Sequence, residues 1–316
     1  MNPPRTRVQR RPVHGVLLLD KPLGLSSNNA LQKCKWLLRA EKAGHTGTLD
    51  PLATGVLPLC FGAATKFSQL QLDADKTYEA IAQLGVKTST GDGEGDVIAT
   101  RPVNVTGEQL ADVEKRFTGA LCQVPPMYSA LKKDGKALYE YARAGQEVER
   151  DARNITVHTL KLARAQDPHA ANAITMVAKV SKGSYIRTLA EDIGEALGCG
   201  AHLIALRRIA TGHYDVAQCV TLEALEAMSE EERRACLLPV DSLLPQHTRV
   251  TLDADNAGRF LSGLRRRGDW KDNERVAVFG LEPQALLGTG HIKAGELIPG
   301  RLLSPPEIQQ ILETTT

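Results

Sequence analysis

The sequence predicts an α+β protein: a large domain on a mixed, largely antiparallel sheet, followed by a small C-terminal β-barrel. Three observations predict this. The 316 residues exceed one comfortable core and suit one large and one small domain, at roughly 100–200 residues per domain. From residue 14 to about 245, strand-like alternation is interleaved with capped, helically spaced segments. Beyond Leu244-Pro-Gln-His247 the pattern changes to short apolar pieces between glycine-rich turns, at 249–252, 275–279, 286–287 and 296–302. The organisation expected is a basic arm over 1–13, a large domain over 14–245 and a small β domain over 246–316.

The elements follow in order. His14-Gly-Val-Leu-Leu-Leu-Asp20 reads as a buried strand entering the turn Lys21-Pro-Leu-Gly24. Ser26 or Ser27 can cap a helix whose Ala30, Leu31, Cys34, Leu37 and Leu38 share one face. Residues 43–55, with three glycines and a proline, form a loop with unusual backbone demands. Tyr78, Ala80, Ala82 and Leu84 alternate with Thr77, Glu79, Ile81 and Gln83 as a strand, and Gly91-Asp-Gly-Glu-Gly-Asp96 turns the chain into Val97–Thr100, as in a hairpin or meander. Thr106 with Gln109 is a capping box, and Gly119 ends that helix. Residues 124–153 have weak periodicity and many cationic and aromatic side chains, as an excursion from the core that grips a partner. A strand over 173–180 leads to a helix that buries Leu189, Ile193 and Leu197 and carries Arg187 in its first turn. A cation is disfavoured at that end, so Arg187 asks for a carboxylate. Another strand spans 202–212, and two short helices start at Thr221 and Ser229.

Hydrophobic residues at 42% and charged residues at 24% exclude a disordered or fibrous chain. The apolar runs 15–19 and 56–62 fall short of the roughly 20 residues a membrane span needs. The start has four arginines, no acid and no following signal-peptide core, so a cytoplasmic protein off the membrane is expected. Cys34, Cys60, Cys122, Cys199, Cys219 and Cys236 show no zinc spacing and read as small core residues. A net charge of +2 leaves any nucleic-acid footprint to local clusters: the arm at 5–11, the excursion, and Arg265–Arg267.

Asp50, between Leu49 and Pro51 in the glycine-bounded loop, is the candidate reactive group. A carboxylate held by backbone geometry can act as nucleophile or base, or simply cap a turn. A phosphatase would place a second Asp two residues on, where Leu52 stands.

Gly44-His-Thr-Gly-Thr-Leu-Asp-Pro-Leu-Ala-Thr-Gly55 resembles the catalytic-loop motif of the TruB branch of pseudouridine synthases along its whole length. Further matches are Asp20-Lys-Pro22 with Ser26-Ser27, Lys76-Thr-Tyr-Glu-Ala80, Val124-Pro-Pro-Met-Tyr-Ser-Ala-Leu-Lys132, Lys182-Gly-Ser-Tyr-Ile-Arg-Thr-Leu189 and Ala201-His-Leu-Ile-Ala-Leu-Arg-Arg208. They keep the family's order over residues 14–212, with Ser184 where the family often has Thr. The resemblance implies the pseudouridine synthase fold with a PUA-like RNA-binding module at the C-terminus. It implies isomerisation of uridine 55 in the tRNA T stem-loop by base flipping, with no cofactor. No metal, no obligate protein partner and a monomeric state are expected beside it.

It also distributes roles. Asp50 is the catalytic carboxylate, and Arg187 pairs with it, as a guanidinium can do bidentately. Tyr78 lies against the flipped uracil. Tyr185 and Leu206 contact the base, His45 fills the space it leaves, and Lys21 braces the loop. Two rivals stand beside this reading. One is an RNA-binding protein without turnover, opposed by the intact set of Asp50, Tyr78 and Arg187. The other is a guide-RNA-dependent synthase of the dyskerin branch, opposed by the 124–153 excursion.

Overall fold

The structure, a computed structural model, describes residues 9–166 and 172–315; residues 5–8 of the basic arm lie outside them. The apolar run near the start forms β1 (Gly15–Lys21). Ser26 caps α1 (Ser27–Leu37) by accepting the Asn29 N–H, and the helically spaced Ala30, Leu31, Cys34 and Leu37 face inward. The stretch read as one loop over 43–55 divides: β2 (Ala43–His45) and β3 (Ala53–Phe61) pair antiparallel, and 46–52 is left between them. The glycines hid the strand ends. Gly55 has φ +100°, and a Cβ there would meet the Arg208 carbonyl oxygen at 2.2 Å, so glycine is the residue that lets the strands approach.

A short α2 (Ser68–Leu72) precedes β4 (Lys76–Leu84), the strand that carries Tyr78. A short β5 (Val86–Thr88) that the sequence reading does not separate pairs with β6 (Val97–Thr100) across the glycine-rich turn. α3 (Gly107–Arg116) has its Thr106–Gln109 capping box, and β7 (Gly119–Gln123) follows. The excursion holds β8 (Lys132–Lys133) paired with β9 (Lys136–Ala137), then α4 (Leu138–Arg143). β10 (Arg153–Arg164) returns beside β7 with Arg153 opposite Gln123, so the chain leaves and re-enters the sheet at one place. β11 (Ala173–Val180), α5 (Ile186–Ala196) and β12 (Ala201–Thr211) follow. After β13 (Tyr214–Asp215) and β14 (Val220–Thr221), α6 (Leu222–Ala227) and α7 (Glu230–Ala235) start at caps Thr221 and Ser229.

The main sheet runs β14-β1-β3-β12-β4-β11-β10-β7, with β2 beside β3 and β13 beside β12. The β1–β14 and β3–β12 pairs are parallel and the rest antiparallel.

The C-terminal region comprises β15 (Thr248–Leu252), α8 (Ala254–Leu261), β16 (Arg266–Arg267), β17 (Asn273–Gly280), β18 (Leu286–Lys293), β19 (Glu296–Leu302) and α9 (Pro305–Thr315). Its strands run β15-β17-β18-β19-β16, a curled half-barrel open between the end strands. The helices α8 and α9 have weak sequence signals: α8 buries only Phe260, too sparse for a helical stripe, and Pro305-Pro306 looks like a turn.

The two faces of β1 and β3 enter different cores. Leu17, Leu19, Leu57 and Leu59 pack under α1, whereas Val16, Leu18, Val56 and Cys60 join Val250, Phe260, Val278 and Ile308 of the C-terminal region. Each such leucine stabilises the fold by about 1.5–3 kcal/mol on full burial. A third cluster joins α3 and α5 to β4, β10 and β11, and Tyr78 and Leu206 touch both it and the α1 cluster. Of the cysteines, Cys34, Cys60 and Cys199 are buried as expected. Cys122 is exposed because it faces outward from the edge strand β7, and Cys219 and Cys236 are half-buried. Among the described residues no helix is long and apolar enough to cross a membrane.

Candidate active site

Residues 46–52 form no strand, and beyond main-chain bonds at their ends, Thr46 N–H to Pro58 O at 3.1 Å and Ala53 N–H to Asp50 O at 3.0 Å, groups from elsewhere hold their backbone. Ser27 Oγ accepts the Leu49 N–H at 2.7 Å and donates to the Leu49 carbonyl at 3.0 Å. Arg208, fully buried, donates through Nε to the Val56 carbonyl at 2.7 Å and through Nη2 to the Gly47 carbonyl at 3.4 Å. The Gly24 N–H donates to Pro51 O at 2.9 Å. Lys21 keeps the Gly24 turn in shape, its Nζ donating to the carbonyls of Pro22 at 2.8 Å and Leu25 at 2.6 Å. Lys21 thus touches the 21–25 turn and not the loop itself, which that turn meets through the Gly24 N–H.

At the end of this loop Asp50 meets Arg187. Nη2 of Arg187 lies 2.9 Å from Oδ2 of Asp50, with Arg187 only 5% exposed and the Asp50 side chain 38% exposed. The pairing uses one nitrogen rather than two, because the rest of the guanidinium is engaged: Nη1 donates to Thr90 O at 3.0 Å and Nη2 to Tyr128 O at 2.6 Å. Nη1 also lies 3.6 Å from Oδ2 of Asp92. One cation therefore ties together the Asp50 loop, the β5–β6 turn and the root of the excursion.

Asp92 is a member of this site that the sequence reading leaves in a plain turn. It is buried, accepts Thr90 Oγ1 at 2.5 Å and the Glu94 N–H at 3.1 Å, and bridges to Leu203 of β12. Its immediate sequence, Gly91-Asp92-Gly93, reads as turn chemistry alone.

Burial pushes the Asp50 carboxyl above the usual carboxylate range; Arg187 opposes the rise, Asp92 adds to it and Lys21 lowers it. Water reaching the exposed part of the Asp50 side chain screens these influences. Burial lowers Lys21 to about 8, with Asp50 pulling the other way.

The remaining candidates lie on β4, β12, β2 and the residue before α5. Tyr78 and Leu206 stand on adjoining strands, Tyr78 opposite Arg208 and Leu206 opposite Ala80 on β4 and Ala53 on β3. Tyr185 precedes α5; its N–H donates to Gln123 Oε1 at 2.8 Å and its carbonyl accepts Gln123 Nε2 at 3.1 Å. Burial raises its hydroxyl, and the charges of Asp50 and Arg187 reach it. His45 stands somewhat apart. Burial lowers it, and the charge it feels is that of Arg208, which favours a neutral ring; its buried Nδ1 has no hydrogen-bond partner among the described residues. No three His, Cys, Asp or Glu side chains among the described residues gather in a metal-holding group.

The architecture matches that of the chain in a Cbf5–Nop10–Gar1 complex, with a TM-score of 0.68 and 25% identity over 93% of this chain and 86% of that one. The fold and the family models together place the chain among the pseudouridine synthases. Two family models narrow the class: TruB family pseudouridylate synthase (N terminal domain) matches residues 35–186, and tRNA pseudouridylate synthase B C-terminal domain matches 187–245. The tRNA pseudouridine synthase B of Verminephrobacter eiseniae is 67% identical over 311 residues, 98% of this chain and 94% of that one. That of Cupriavidus pinatubonensis is 58% identical over 304 residues, 94% and 96%. The chain belongs to the TruB family.

Proposed function

We propose that this chain isomerises uridine 55 in the T loop of tRNA to pseudouridine, with Asp50 as the catalytic carboxylate. The observation that carries the reading is the Asp50–Arg187 contact at 2.9 Å, held in a loop whose peptide groups are fixed by buried side chains. The N1–C1′ bond breaks, the uracil turns, and a C5–C1′ bond forms; the C5 proton leaves and N1 gains one, so atoms and electrons balance with no added cofactor. Asp50 serves by attacking C1′ or by assisting departure of the base. Arg187 keeps it ionised and aimed, Tyr78 and Leu206 bound the flipped base on adjoining strands, and Tyr185 offers a ring and hydroxyl. His45, neutral and with a free Nδ1 acceptor or donor, stacks where the base left, and Lys21 holds the turn beneath.

The grip on tRNA comes from the 124–153 excursion and the half-barrel, the latter acting as a PUA-like module over 246–316. Arg265 and Arg267 on that module pair with Glu296 at 3.3 and 3.0 Å, so phosphates compete with that carboxylate. In the arm, Arg11 pairs with Glu230 and Arg10 donates to Ala40 O at 2.9 Å, which draws those two charges onto the body. The enzyme works as a monomer without an obligate protein partner.

The test is tritium release from tRNA carrying 5-tritiated uridine, with wild-type and Asp50→Asn protein, in chelator and without added cofactor. Release by wild type alone, mapped to position 55, is the expected result. Tight tRNA binding with no release would favour an RNA-binding protein without turnover.

A further inference from the structure

α1 begins with two serines, and the helix needs only one. Ser26 occupies the cap, its side chain accepting the Asn29 N–H at 3.1 Å. Ser27 is therefore spare as far as helix initiation goes, yet it is 1% exposed, an unfavourable place for a hydroxyl unless its hydrogen bonds are made. Both are made to a single residue across 22 positions of chain, the N–H and the carbonyl of Leu49. Leu49 is itself buried and directly precedes Asp50. Its peptide groups cannot reach a strand ladder, because β2 ends at His45 and β3 begins at Ala53. Loss of the Ser27 hydroxyl would strand a buried donor and a buried acceptor together, and the loop would have to move to rehydrate them.

We propose that Ser27 is a positioning residue for the reaction: its hydroxyl clamps the Leu49 backbone and thereby fixes where the Asp50 carboxylate stands relative to Arg187. The inference rests on the reading of Asp50 as the catalytic carboxylate. Arg187 fixes the tip of Asp50 from the α5 side, and Ser27 fixes its backbone from the α1 side, so the carboxylate is held at both ends. Shifts of about 1 Å in a reacting group can cost roughly 10²-fold in rate, which sets the scale of the effect.

The experiment compares single-turnover rates, tRNA affinity and melting temperature for Ser27→Ala, Ser27→Thr, Ser26→Ala and Asp50→Asn. The expected result is a drop of roughly 10- to 100-fold in the Ser27→Ala rate, with tRNA affinity unchanged and the rate largely restored in Ser27→Thr, which keeps the hydroxyl. Ser26→Ala loses helix stability and keeps its rate. The proposal is overturned if folded Ser27→Ala turns over at the wild-type rate, if Ser27→Thr is as slow as Ser27→Ala, or if Ser26→Ala slows the reaction as much as Ser27→Ala. An active Asp50→Asn would instead remove the reading of Asp50 on which the proposal stands.

Discussion

The loop at 46–52 and the excursion at 124–153 both leave the main sheet, and they are held in opposite ways. In the loop, buried side chains from α1, β12 and α5 reach in: Ser27 to Leu49, Arg208 to Gly47, Arg187 to Asp50. The excursion is tied at its root, where Gln123 faces Arg153 and Tyr128 O accepts Arg187. Farther out it relies on its own surface contacts, such as Lys136 over the Tyr141 ring at 4.5 Å and Arg143 over Tyr139 at 5.3 Å. The difference follows from what each does on the proposed function. A carboxylate that attacks or assists a breaking bond must be placed to a fraction of an ångström, whereas attraction to phosphates falls off slowly with distance and tolerates motion.

The largest expected effect tests the rigid side of this contrast. Arg187→Leu leaves Asp50 without its partner and Asp92 buried near no cation of its own. Removing one member of a buried pair costs roughly 3–5 kcal/mol of stability, and loss of an oriented charge at the reacting group costs roughly 10²–10³-fold in rate. Denaturant melts and single-turnover kinetics on the same protein measure both. A folded Arg187→Leu with wild-type kinetics would show that the wiring is scaffold alone.

The next effect is smaller and concerns pH. Because burial and Asp92 hold Asp50 above the ordinary carboxylate range while Arg187 and Lys21 pull it down, the reactive ionised form is lost as pH falls through that raised value, earlier than for a free carboxylate. The stability consequence has the same sign as for any raised group: its contribution is present below the unfolded value and lost as pH rises through the folded one. Asp92→Asn removes a neighbouring negative charge, so the acid limb of the rate profile should move to lower pH. A limb that stays in place would mean that Asp92 does not act on Asp50 through charge.

How much of this is legible in the sequence depends on whether the cause is local. The α3 capping box and the caps at Thr221 and Ser229 lie within three residues of their partners, and all are readable. Asp50 and Arg187 are readable through the motifs around them, and a solvated Arg187 can be doubted because a cation at a helix start needs a partner. Asp92 is not, since its meaning comes from a hairpin turn pressed against β12 by the bridge to Leu203. Ser27 looks interchangeable with Ser26 until the fold brings Leu49 to it. Tyr78, Leu206 and the Asp50 loop come from distant stretches of chain, and the sheet order, with β12 between β3 and β4, is what makes their strands neighbours.

The smallest expected effect tests the loose side of the contrast. Lys132 is exposed on β8, and Arg143 ends α4 with its guanidinium over Tyr139. If the excursion grips tRNA through phosphates, replacing both with Ala weakens binding about equally for every tRNA sequence. For every phosphate no longer neutralised, the plot of log affinity against log salt becomes shallower by about 1. At saturating tRNA the single-turnover rate should be unchanged, because neither side chain bears on the 46–52 loop. A slower rate at saturation would instead mean that strain in the excursion reaches Asp50 through the bond that links the two regions, Arg187 to Tyr128 O at 2.6 Å; gripping and chemistry would then be coupled, and the division between a rigid site and a tolerant grip would fail at that bond.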